Sequence, residues 1–225
     1  RGLGDVYKRQ NLLGLFSAPK EVILCADFLD TLSSDHLSCG YGEIYRLAIT
    51  GGERSFQILE ANLEQAIAGE LRAIKALIVS SLLVKKVVIE EDEYEINIRK
   101  SMNYGHTVGH ALEGLSDFKI PHGIAVGIGI NMANNIAKEL YKIEVTAIDE
   151  LINKFLNTNS YYVDIFKASY DKTVFISALK RDKKNTSSDS LKCILLNSKK
   201  RVVKVNVSLT KLTKIFKKIT KEEKW

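Results

Sequence analysis

The chain has 225 residues, 45% apolar and 27% charged, enough to bury a sizeable core in one large domain or two small ones. A net charge of +6 invites a nucleic-acid partner, but the excess lies mostly beyond residue 180, where it alternates with apolar residues as on a solvated helix; a small polyanionic substrate suits a basic protein equally well. No apolar run is long enough for a membrane helix, residues 1–10 lack the apolar core of a signal peptide, and three widely spaced cysteines without CxxC spacing fit a reducing cytoplasm better than a disulfide framework.

Residues 1–10 match no element that follows and read as a non-native leader. Glu21–Ala26 has the look of a short buried strand. Asp35–Ile49 reads as a helix interrupted near Gly40 and Gly42. Phe56–Ala68 and Leu71–Lys85 carry helical periodicity. Asn103–Leu115 and His122–Leu140 are expected as helices rich in small and branched residues, with Gly123, Gly127 and Gly129 permitting close packing on a neighbour. Val145–Leu156 and Lys172–Lys180 are further helices. Leu191–Leu196 and Arg201–Val207 read as a hairpin around Asn197–Lys200. Leu212, Ile215, Phe216 and Ile219 form an i, i+3, i+4, i+7 stripe framed by lysines, a basic amphipathic helix.

Three of the four histidines fall within 17 residues: His106, His110 and His122. His106 and His110, four apart, are offset by about 40° on a helix and share a face. Imidazole is the commonest ligand for catalytic divalent metals and a proton carrier near neutral pH. Spacing alone makes His106 and His110 the obvious metal couple. His36 stands apart and reads as a surface residue.

The run Asn103-Tyr104-Gly105-His106-Thr107-Val108-Gly109-His110, followed by His122-Gly123, resembles the metal-binding pattern of the 3-dehydroquinate synthases and their sugar-phosphate cyclase relatives. Asn11–Phe16 with Pro19-Lys20, Asp27–Leu32, Ser38–Ile44, Ile98-Arg99 and Asp182-Lys183-Lys184 resemble further ordered motifs of that family. The resemblance covers the family's helical C-terminal half. It implies a mainly α domain over 31–225 with a hairpin near 191–207, and a connector with one strand over 11–30 left from a nucleotide-binding domain the sequence does not include. It also implies a homodimer for the full-length parent, and the cysteine usage implies the cytoplasm.

By the same resemblance, Glu43, His106 and His122 would be ligands to one divalent metal, zinc or cobalt, and His110 would handle protons. Asn11, Arg46, Lys85, Arg99, Asn103, Lys183 and Lys184 match a polar pocket for a phosphorylated sugar acid. The implied reaction converts 3-deoxy-arabino-heptulosonate 7-phosphate to 3-dehydroquinate and phosphate with NAD as a recycled cofactor, in the shikimate route to aromatic amino acids; the chain by itself is expected to be inactive. Two departures stand out. Arg46 replaces a family lysine, and Ile124 replaces a glutamate beside His122, so a carboxylate near that ligand is missing. They leave open a divergent cyclase acting on another phosphorylated ketose. An NAD- and metal-dependent polyol dehydrogenase is the other alternative.

Overall fold

The computed structural model describes residues 20–181 and 189–221. The chain divides into two units, Arg1–Asp30 and Thr31–Trp225. In the first, residues 21–25 have no regular structure and Ala26–Thr31 forms a 3-10 turn. The strand expected at Glu21–Ala26 is therefore absent. An apolar run becomes a strand only when its N–H and C=O groups find a ladder partner. The only paired strands among the described residues are those of the hairpin.

The second unit is mainly helical. Helix α1 (Ser34–Thr50) starts where the Ser33 side chain accepts the backbone N–H of His36. It runs without a break through Gly40 and Gly42, so the expected interruption does not occur. Gly51 ends it, and Gly52, at φ 84°, turns the chain into α2 (Glu53–Ile67). The next helix, α3 (Leu71–Glu91), packs on both predecessors. A 3-10 turn (Ile98–Asn103) then leads to α4 (His106–Leu115) and α5 (His122–Tyr141). The expected helix from Asn103 starts three residues later, because Gly105 takes φ 77° and redirects the backbone.

Every residue from Gly123 to Ala137 is buried, so α5 is the axis around which α1, α4 and α6 (Thr146–Thr158) pack. A helix apolar on all sides belongs inside a domain. Its crossings are close because small residues face each other. A Cβ on Gly127 would run into the Phe155 ring, and one on Gly129 into the Gly105 carbonyl. Buried Tyr104 donates its hydroxyl to Asn134 Oδ1, Asn134 donates to Asp149 Oδ1 (2.9 Å), and Lys138 binds the other Asp149 oxygen (2.7 Å). That chain gives buried Tyr104 and Asn134 their hydrogen-bond partners.

In helix α7 (Ser160–Ser169) the aromatic and β-branched run Tyr161-Tyr162-Val163 weakens the helical signal of the sequence. After α8 (Lys172–Arg181) come β1 (Ser190–Leu196) and β2 (Val202–Ser208), an antiparallel hairpin with Ser190 opposite Ser208 and Leu196 opposite Val202. Its turn is fastened by Asn197 Oδ1, which accepts the N–H groups of Lys199 and Arg201. Leu191, Cys193 and Leu195 are buried, and β1 packs on α5. Helix α9 (Leu209–Lys221) buries Leu212, Ile215, Phe216 and Ile219 and exposes Lys211, Lys214 and Lys217, as its periodicity predicts. No helix among the described residues is long and apolar enough to cross a membrane.

Candidate metal centre

Three helices deliver one side chain each to a common point. Glu43 comes from the third turn of α1, His106 opens α4, and His122 opens α5. Each stands next to a glycine at a helix contact. A Cβ on Gly42 would collide with the Gly123 carbonyl, one on Gly123 with the Cys39 backbone, and one on Gly105 would lie 2.7 Å from the Val126 carbonyl oxygen. The glycines let the backbones approach, and the adjacent residues then meet.

Glu43 Oε1 lies 3.5 Å from His106 Nε2 and 3.4 Å from His122 Nε2. It is buried and has no hydrogen-bond partner, although an orphaned buried acceptor is costly. Two ligand atoms held tetrahedrally about 2.0–2.1 Å from a zinc ion stand about 3.3 Å apart. The carboxylate–imidazole separations fit that spacing. Two imidazoles and a carboxylate also fit the donor preferences of a divalent transition metal with open coordination positions.

The electrostatics keep the three groups in different states. Burial alone would raise the Glu43 carboxyl, but His122 and the Arg46 guanidinium hold it well below the usual carboxylate range. Burial, with Arg46 nearby, pushes His106 down to about 4, so its ring is neutral at pH 7. Its Nδ1 faces the Tyr104 carbonyl at 3.3 Å, which leaves the Nε2 lone pair toward Glu43. His122 is raised to about 9 by its contacts with Glu113 (Nδ1 to Oε2, 3.1 Å) and Glu43. Glu113, from α4, thus places a carboxylate beside His122.

His110 lies on the same face. Its ring meets His106 edge-on at 5.3 Å and stacks on His122 at 5.8 Å. A second grouping, His110, Glu113 and His122, also brings three donor atoms within 4.8 Å of one another. Beside these rings a cleft of about 390 Å³ is lined by Asn103, His106, Thr107 and His110, with Tyr94, Glu95 and Lys100 on one side and Lys192, Ile194 and Lys204 on the other.

The expected pocket residues divide. Asn103 lines the cleft, its amide held by Glu95 Oε1 at 2.7 Å. Arg46 does not line it: buried, it grips Glu43 Oε2 through Nε (3.2 Å) and a second nitrogen (2.5 Å), and donates to the Met102 carbonyl. Arg46 therefore supports Glu43 rather than lining the cleft. Arg99 donates to the Glu93 carbonyl, while its own N–H binds Asp92. Lys85, half-buried on α3, is not part of the cleft lining. Asn11, Lys183 and Lys184 lie outside the described residues. Glu95, Lys192 and Lys204 were not expected. Glu95 holds Asn103 from eight residues upstream and sits at φ 56°, where a non-glycine residue is uncommon. The two lysines reach the cleft only through the hairpin, which no local spacing reveals.

Residues 40–185 match the family profile described as 3-dehydroquinate synthase C-terminal. The chain is 36% identical over 190 residues to a 3-dehydroquinate synthase of Pelagibacter ubique, covering 83% of this chain and 51% of that protein. It is 34% identical over 181 residues to one from Pyrococcus furiosus, covering 80% and 51%. The chain thus spans about half the length of the curated relatives it matches. A solved 2-deoxy-scyllo-inosose synthase, complexed with carbaglucose-6-phosphate, NAD+ and Co2+, shares the fold at a TM-score of 0.65 and 20% identity, covering 84% of this chain and 53% of that one. Its mainly α architecture, the hairpin and the match over residues 40–185 place the chain in the family of 3-dehydroquinate synthase C-terminal regions.

Proposed function

We propose that this chain is the metal- and substrate-binding part of an NAD- and metal-dependent cyclase that converts 3-deoxy-arabino-heptulosonate 7-phosphate to 3-dehydroquinate with loss of phosphate. The observation that carries the reading is the buried Glu43 Oε1, which has no hydrogen bond and faces two imidazole nitrogens at 3.4–3.5 Å. Glu43, His106 and His122 would hold a divalent metal, zinc or cobalt. The chemistry supplied by the metal is acidification of a bound hydroxyl and polarisation of a carbonyl; that supplied by NAD is reversible hydride acceptance.

This chain's own residues bind, orient and move protons. Arg46 keeps Glu43 ionised and fixed by two contacts to one oxygen, leaving the other for the metal. Glu113 orients the His122 ring through Nδ1. His110, in the cleft wall, is placed to take a proton from a ligand hydroxyl and pass it to solvent. Asn103, fixed by Glu95, offers its remaining hydrogen-bonding capacity to a hydroxyl or carboxylate of the ligand. Arg99, Lys85, Lys183, Lys184 and Asn11 remain candidates for ligand contacts by family resemblance. Among the described residues no strand–turn–helix is present to cradle a pyrophosphate, so no NAD contact is assigned to them.

Zinc titration of the chain tests the ligand set. His106→Ala should weaken binding by at least about 100-fold, whereas His110→Ala should leave it within about threefold. Equal losses would refute the division between ligand and proton carrier. The zinc-loaded chain should also bind the heptulosonate 7-phosphate and not glycerol. Tighter binding of glycerol would favour a polyol dehydrogenase instead.

A further inference from the structure

His122 turns its two ring nitrogens to two different sets of groups. Nε2 lies 3.4 Å from Glu43 Oε1, and Nδ1 lies 3.1 Å from Glu113 Oε2. On α4, His110 and Glu113 are three residues apart and so neighbours on one face. The His110 ring stacks on that of His122. One donor atom each from His110, Glu113 and His122 lie within 4.8 Å of one another. Tetrahedral ligands bonded to zinc stand about 3.3–3.6 Å apart, so movements of about 1 Å would bring all three to bonding distance. Such movements are open to them: His110 is exposed and the His122 side chain is 44% exposed, whereas that of His106 is 13% exposed. Orienting His122 needs Glu113 alone, and carrying a proton needs His110 alone. Neither role requires the three donor atoms to converge. Two imidazoles and a carboxylate are also the donor set of the buried centre, suited to a divalent transition metal.

The two sets share one ring. A neutral imidazole has one lone pair and one N–H. With a metal on Nε2, the Nδ1 proton is donated to Glu113. With a metal on Nδ1, the Nε2 proton is donated to Glu43. We propose that His110, Glu113 and His122 Nδ1 form a second, solvent-facing site for a divalent transition metal, which competes with the buried site for His122. The chain then holds one ion, not two. An ion in the outer site ties up His110 and takes His122 from the buried centre, so it cannot serve the proposed reaction. The competition rests on the buried-site reading; the outer donor set does not.

The test is calorimetric titration of the full chain with zinc near neutral pH. Wild type is compared with two separate backgrounds that each lose a buried ligand, Glu43→Gln and His106→Ala. Each background should still bind one zinc through the outer site, at least about 100-fold more weakly than wild type. Removing an outer-shell partner costs about 10–100-fold in metal affinity and a ligand at least as much, so adding His110→Ala should cost each background about tenfold or more. In the otherwise wild-type chain the same change should cost less than about threefold, because the buried site holds the ion there. A merely structural role for His110 would cost the same in all three. Nitrogen NMR of isotope-labelled imidazoles reads the exchange directly. Zinc-bound wild type should keep the His122 proton on Nδ1, and the zinc-bound backgrounds should keep it on Nε2. Equal His110→Ala losses in all three, a His122 proton on Nδ1 in the backgrounds, or two zinc ions held at once by wild type would overturn the proposal. The backgrounds change different residues, so a folding failure of one leaves the other to decide. If neither background binds zinc while wild type does, the outer site falls and the buried one stands. If wild type loses zinc with His110→Ala but not with His106→Ala, the buried centre falls and the outer site stands.

Discussion

Replacing Gly42 by alanine tests how the metal centre is assembled. The added Cβ would lie 2.7 Å from the carbonyl carbon of Gly123, and closer still to its oxygen. Non-bonded carbons normally settle about 3.5–4.0 Å apart. Neither partner is a side chain that can swing away, so α1 and α5 must part by about 1 Å. Glu43 follows Gly42 and His122 precedes Gly123, so the 3.4 Å between their ligand atoms would open to about 4.4 Å. Metal–ligand distances tolerate about 0.2 Å. Zinc affinity should fall at least about 100-fold, with an overpacking cost of about 1–3 kcal/mol in stability. The control is Gly40→Ala in the same helix, where nothing lies within 4 Å. It should leave zinc binding alone and add about 0.5–1 kcal/mol of stability. Competition against a chromophoric chelator, together with thermal melts, reads both quantities. A folded Gly42→Ala protein that binds zinc within about threefold of wild type would refute the reasoning.

Zinc affinity should also depend on pH. His122 is held near 9, so below that a metal must displace its proton, whereas His106, near 4, is already neutral. Affinity should climb by up to about tenfold per unit from pH 6 to 9 and then level, with one proton released per zinc; a flat profile over pH 6–8 would contradict this. Because its folded value is raised, the same proton stabilises the metal-free fold below about pH 6.5, and that contribution fades as pH rises through 9. Glu113→Gln removes the carboxylate behind His122 and should weaken zinc roughly tenfold while the melting temperature changes little. Tyr104→Phe leaves buried Asn134 Oδ1 without its donor and should cost about 1–3 kcal/mol in chemical denaturation, with zinc binding nearly intact.

The helical class, the hairpin and the basic α9 are legible in the sequence, because each is written in local periodicity. The sequence also marked Glu43, His106 and His122, through motif resemblance rather than spacing, which favoured His106 with His110. Gly40 and Gly42 looked like breaks in a helix, yet α1 is continuous. In an exposed peptide a glycine weakens a helix, but at Gly42 the missing Cβ admits the Gly123 backbone, a fact of α5 that α1 cannot encode. The Glu21–Ala26 run read as a strand from composition alone, and a strand exists only through a partner. Arg46 read as a ligand contact, while packing turned it to Glu43 and Met102. Glu113 and the cleft lysines became visible only when α4, α5 and the hairpin met. The sequence chose which groups the chain carries; the tertiary structure decided which of them face one another, because distances between residues far apart in the chain are set by how closely the helices can pack.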